Sequence, residues 1–206
     1  MTVKRGALLT TREIVIYALL GSLMFCSKLL MEWAPNVHFL GMFTIVYTLV
    51  YRRRALFPIY VFVFLIFAYS GFSLWSVPYL YLWTILWGVT MLLPKNMKPG
   101  IAIPVYAVVC SLHGLLYGTL YAPFQAIAFH YSLQATFAWI AAGLPYDAVH
   151  ALGNLCAGLL IVPVATLLLR LEKKPLPRWA IKKKATPSGD GSQSEPDQSS
   201  ADQDDT

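Results

Sequence analysis

Apolar residues run through this chain in long unbroken stretches, with the polar positions gathered at the junctions between them. The stretches fall at about 12–31, 37–51, 55–71, 74–93, 101–121 and 146–170. A helix needs about 20 apolar residues to cross a hydrocarbon core of about 30 Å. The pattern therefore predicts an all-α, polytopic membrane protein of six transmembrane helices, the second of them short. It divides the chain into a terminus at 1–11, a six-helix membrane domain at 12–171 and a tail at 172–206.

The junctions alternate between basic and nearly charge-free, and this sets an orientation. Lys4, Arg5 and Arg12 precede the first helix, Arg52, Arg53 and Arg54 follow the second, Lys95 and Lys98 follow the fourth, and seven cations from Arg170 to Lys184 follow the sixth. On the opposite side stands only Lys28, beside Glu32. Cytoplasmic loops carry the excess of Lys and Arg, so both termini are expected inside, in the plasma membrane. The uncharged stretch 124–142 would, as a seventh span, force the C-terminal cations outside. Its Gln125, His130, Ser132 and Gln134, with Pro123 and Pro145 at its ends, predict instead an extracytoplasmic interfacial segment between helices 5 and 6. The tail turns from basic to acidic and is nearly devoid of apolar residues beyond Lys184, which predicts disorder.

Composition agrees. With 57% hydrophobic and 13% charged residues and a mean hydropathy of +0.58, the chain is too apolar for a soluble domain of 206 residues. Its net charge of +6 lies beside apolar runs and forms no basic face with stacking aromatics, so no nucleic-acid partner is expected. Cys26, Cys110 and Cys156 lie within apolar stretches without metal-ligand spacing and read as structural thiols; no metal is expected. The N-terminal apolar run lacks a small-x-small cleavage site and reads as a permanent helix. No H-E-x-x-H, G-x-S-x-G or phosphate-loop motif is present, so no enzyme and no ATP hydrolysis by the chain itself is expected.

Chemistry concentrates at the start of the last helix. Asp147, His150 and Asn154 stand at offsets that place them within an arc of about 60°, descending about 10 Å along one helix face. Ionisable groups at such depth normally face a bundle interior or a wet cavity. A packing role, with Asp147 capping the helix or pairing with His150 and with Asn154 bonding a neighbouring helix, stands against a pocket open to the outside. The pocket gains weight from Glu32, Asn36, His38, Trp75, Tyr79, His113, Tyr117, His130 and Trp139, which all fall near the outer level. In the first helix Ala18, Ser22 and Cys26 recur every four residues with Gly21 beside them, a groove that admits close helix approach. Two further readings remain: a membrane haem protein with His113 and His150 as axial ligands, and a scaffold subunit without ligand.

Pro35-Asn36-Val37-His38, Tyr47-Thr48-Leu49-Val50 before a basic turn, the aromatic run Trp75 to Trp83, and the Pro-Tyr-Asp-x-x-His-x-x-Gly-Asn opening of the last helix resemble the substrate-binding S components of energy-coupling factor (ECF) transporters. The resemblance runs over about residues 12–170. It implies a binding subunit that captures a vitamin or related micronutrient from outside and works with a membrane T component and two cytosolic ATPases. It implies that Ala18, Ser22 and Cys26 dock the T component, with Ser and Cys departing from the commoner alanines. It implies ligand contacts at Asp147, His150 and Asn154, and also at Asn36, His38, His113, Tyr117, Tyr79 and Trp83. No cofactor is implied.

Overall fold

A computed structural model describes residues 9–34 and 36–181, and their regular structure is entirely helical. The elements are α1 (Thr11–Leu30), α2 (Leu40–Tyr51), α3 (Leu56–Ser70), α4 (Tyr79–Leu92), α5 (Pro99–Leu115), α6 (Tyr117–Phe129), α7 (Leu133–Gly158) and α8 (Ile161–Leu171). By length and composition, three helical stretches are able to cross a membrane: Thr11–Leu30, Leu40–Ser70 and Pro99–Phe129. A fourth is the pair α7 and α8, bent by 47°. Lys4 and Arg5, together with the tail beyond Ile181, lie outside the described residues.

Side-chain contacts reveal more legs than long helices. Tyr47 donates from its hydroxyl to the Leu20 carbonyl at 2.9 Å and Tyr51 meets Tyr17 edge-on at 5.2 Å, so α2 descends antiparallel to α1. Tyr17 stacks on Phe57 and Phe25 meets Tyr69, so α3 ascends alongside α1. The stretch Leu40–Ser70 therefore folds back on itself at 52–55, where a short 3-10 turn carries the three arginines. Arg52 adopts a left-handed φ of 55° there, a backbone strain that needs support from its surroundings. That support is reciprocal: Trp87 donates its indole N–H to the Arg52 carbonyl at 3.0 Å, and the Arg52 guanidinium donates to the Met91 carbonyl at 3.1 Å.

The remaining legs continue the alternation, with α4 descending beside α3, α5–α6 ascending and α7–α8 descending. α5–α6 and α7 pack along a seam of small residues in which Ala107 faces Gly158, Gly114 faces His150 and Gly118 faces Asp147. Ser111 donates to the Ala151 carbonyl at 3.0 Å. A methyl group added at Gly158 would come within 2.6 Å of the Ala107 Cα, so the close backbone approach requires the glycine. The core between the legs is apolar and aromatic, with Tyr47, Phe62, Trp83 and Tyr106 fully buried.

Two sequence expectations change. The segment 124–142 forms no separate cap: α6 continues through Pro123 to Phe129, His130 turns the chain in a left-handed conformation, and α7 starts at Leu133 and passes through Pro145 unbroken. Proline costs a helix one hydrogen bond and some strain without always ending it, so both residues lie within a tall α6–α7 hairpin. The first residues of the tail are also structured. Lys174 donates to the Val50 carbonyl at 3.0 Å and lies 4.2 Å from the Tyr51 ring centre, and buried Trp179 donates to the Lys95 carbonyl at 3.1 Å. Desolvation holds the Lys174 ammonium below the usual lysine range. This strap closes the basic end of the bundle, where Glu13 pairs with Arg54 and Arg12 with Glu172.

Candidate functional site

At the opposite end, five elements converge on a cavity of about 280 Å³. The 31–39 loop contributes Asn36 and His38, α4 contributes Tyr79, α6 Tyr117 and α7 His150, and the end of α1 with the loop adds Lys28 and Glu32. Asn36 holds a φ of 61°, a left-handed conformation that asparagine tolerates better than most residues. The His38 and His150 rings meet edge-on at 4.5 Å, and Tyr117 lies 4.8 Å from His150. Lys28 and Glu32 form an ion pair at 3.3 Å at the rim.

Behind this lining lies a second layer of rings. Trp83 is 1% exposed and touches His38, Tyr79, His113 and Tyr117. His113 places Nε2 at 3.2 Å from the Leu82 carbonyl. Buried polar atoms are nearly always satisfied, yet His38 Nδ1, Trp83 Nε1, His113 Nδ1 and His150 Nε2 at or behind the cavity have no protein partner among the described residues, and neither do Asn154 Oδ1 and the Tyr51 and Tyr106 hydroxyls away from its lining. Such orphans cluster where a bound molecule or water completes the hydrogen bonding. Each imidazole can offer a donor or an acceptor according to its tautomer.

Tyr117 is shared with a second opening, a cleft of about 470 Å³ between the turn at 74–76, α6 and α7. Its walls include Trp75, Tyr117, Tyr121, Trp139 and Tyr146, and Asp147 lies among them. Both carboxylate oxygens of Asp147 accept from the Gly118 N–H at 3.1 Å. The helix breaks at Leu116, so Gly118 lies in the first turn of α6, where backbone donors lack intrahelical partners. That free donor and the positive end of the helix dipole stabilise a carboxylate that is only 6% exposed.

The three residues on the α7 face are thus brought to one seam but given separate surroundings. Asp147 lines the aromatic cleft, His150 the polar cavity, and Asn154 neither. Asn154 donates to the Cys110 carbonyl at 3.1 Å and packs beside Gly41 and Gly114, so it joins α7 to α5. Asn36, His38, Tyr79 and Tyr117 line the polar cavity, whereas His113 and Trp83 stand behind it. His130 sits in the α6–α7 turn, lining neither opening. Sequence reasoning missed Gly118, Tyr121 and Tyr146; the Gly114-x-x-x-Gly118 spacing was the available signal for the first. Among the described residues no group of three or more His, Cys, Asp or Glu side chains is arranged to hold a metal ion.

The α1 residues also separate. Tyr17, Gly21 and Met24 are buried, and a methyl group at Gly21 would lie 2.6 Å from Val61. Ala18 and Cys26 are exposed and Ser22 half-buried, leaving the small-residue stripe on the outer flank of α1. Compared with known protein families, characterised proteins and solved structures, the chain has no match in any of the three.

Proposed function

We propose that this chain is the substrate-binding subunit of an ATP-driven importer of the energy-coupling factor type. In this reading it crosses the plasma membrane six times with both termini cytoplasmic and captures a micronutrient-sized molecule from outside. The observation that carries it is convergence: Asn36, His38, Tyr79, Tyr117 and His150, from four separate elements, line one cavity at the end of the bundle opposite the cluster of Arg12, Arg52, Arg53 and Arg54. A concave site with aromatic walls and a few convergent polar groups is what a small molecule needs.

Binding is then the whole of the chemistry. The imidazoles of His38 and His150 and the amide of Asn36 hydrogen-bond the ligand's polar edge, Tyr79 and Tyr117 pack on its ring, and Trp83 and His113 brace those rings from behind. The exposed stripe Ala18, Ser22 and Cys26 is the surface for a T component, and two cytosolic ATPases supply the energy. The legs α2, α3 and α4 have 12, 15 and 14 residues, about 18–23 Å at 1.5 Å per residue. Crossing on legs this short needs local thinning of the bilayer.

The haem reading requires a gap of porphyrin width between His113 and His150. Against it speaks the close approach of α5 and α7, where a methyl group at Gly114 would touch the His150 backbone at 3.0 Å. Affinity purification of the tagged chain from its native membrane tests the proposal. Recovery with a T component and two ATPases supports it, and recovery alone with a Soret absorbance overturns it.

A further inference from the structure

The aromatic cleft beside Asp147 has a chemistry distinct from the polar cavity. Its walls present the rings of Trp75, Tyr117, Tyr121, Trp139 and Tyr146, and among the described residues Asp147 is the only charged one that lines it. Tyr121 and Trp139 lie nearly parallel, with centres 6.0 Å apart and planes 26° apart, and Tyr121 donates to the Trp75 carbonyl at 2.9 Å, which fixes three of the walls together. Asp147 has its two oxygens engaged by one N–H. A carboxylate offers about four acceptor positions, so most of its capacity is unused.

Ring faces carry negative potential and attract a cation within about 6 Å of the ring centre, most strongly where water is excluded. The Trp75 ring already does so from the side of the polar cavity, where the Lys28 ammonium lies 5.8 Å from its centre. That ammonium is neutralised by Glu32, so it does not cancel the Asp147 charge. A neutral ring without N–H or O–H donors would gain nothing from a buried carboxylate, and an anion would be repelled by it.

We propose that this cleft is a subsite for an organic cation, its fixed positive charge held over the Tyr121–Trp139 pair and against Asp147. The inference rests on the capture reading for its biological role: Tyr117 belongs to both openings, so one ligand can place a cationic group in the cleft and a hydrogen-bonding ring in the cavity.

The test uses the purified full chain in detergent and equilibrium dialysis of labelled choline, competed by unlabelled choline or by its neutral carbon isostere, 3,3-dimethylbutan-1-ol. Choline is expected to compete at least about tenfold better than the isostere. Asp147→Asn is expected to weaken choline binding by at least about tenfold. Trp139→Leu, half-buried and beyond the small-residue contacts of the seam, is expected to weaken it in a chain that still folds, with only a modest fall in melting temperature from the lost Tyr121 stack. Equal competition by the isostere, or unchanged choline binding in a folded Trp139→Leu chain, overturns the proposal. Either result leaves the importer reading standing, because partner recovery decides that separately; recovery without partners would in turn leave the choline preference intact.

Discussion

A methyl group at position 118 would lie 2.5 Å from Asp147 Oδ2, so Gly118→Ala forces the carboxylate away from the backbone donor that holds it. The expected result is loss of ligand retention together with a stability loss of about 1–3 kcal/mol, measured by thermal unfolding and binding on the same preparation. Gly88→Ala is the control: nothing lies within 4 Å of that position, and removing a helix-interior glycine should stabilise by about 0.5–1 kcal/mol. Asn154→Ala should behave differently from both. Its side chain serves the α5–α7 contact, so the melting temperature falls by the equivalent of about 1–3 kcal/mol while the folded fraction keeps its ligand. That Asp147, His150 and Asn154 share a face was legible from their spacing. Which of them meets a cavity was not, because the answer lies in the α6 break at Leu116 and in Gly41 and Gly114, residues of other elements.

On the scale of elements, α1 offers two faces that the sequence could list but not assign. Small residues at four-residue spacing signal close approach, yet only the position of α3 decides that Gly21 faces inward while Ala18, Ser22 and Cys26 face out. Gly21→Leu should therefore prevent folding, since Val61 and the Pro58 carbonyl lie 2.6 and 2.8 Å from an added Cβ. Ser22→Phe should fold and bind ligand normally but lose co-purifying partners. Size-exclusion profiles and pull-downs separate the two outcomes, and loss of folding in both would place the stripe inside the bundle. The α6–α7 hairpin carries the matching lesson about local signals. Pro123 and Pro145 read as ends, but the helices run through them because the packed seam outweighs one missing hydrogen bond at each.

At the scale of the whole molecule the runs of apolar residues made legible an all-helical chain with helices long and apolar enough to cross a membrane. What they could not report is the support that Trp87 and the Met91 carbonyl give the turn at Arg52, or the strap that Trp179 pins to Lys95. Orientation has its own check: in intact cells an impermeant maleimide should label His130→Cys and spare Asn96→Cys, and the reverse pattern would invert the topology. The central claim is capture of a small molecule at the cavity built by Asn36, His38, Tyr79, Tyr117 and His150. Native mass spectrometry of the full chain, purified from its native membrane without delipidating treatment, tests it most directly. The account predicts a retained small-molecule mass on the parent chain that is missing from folded His150→Phe. A parent chain that carries no such mass, or a His150→Phe chain that retains it unchanged, would contradict the account.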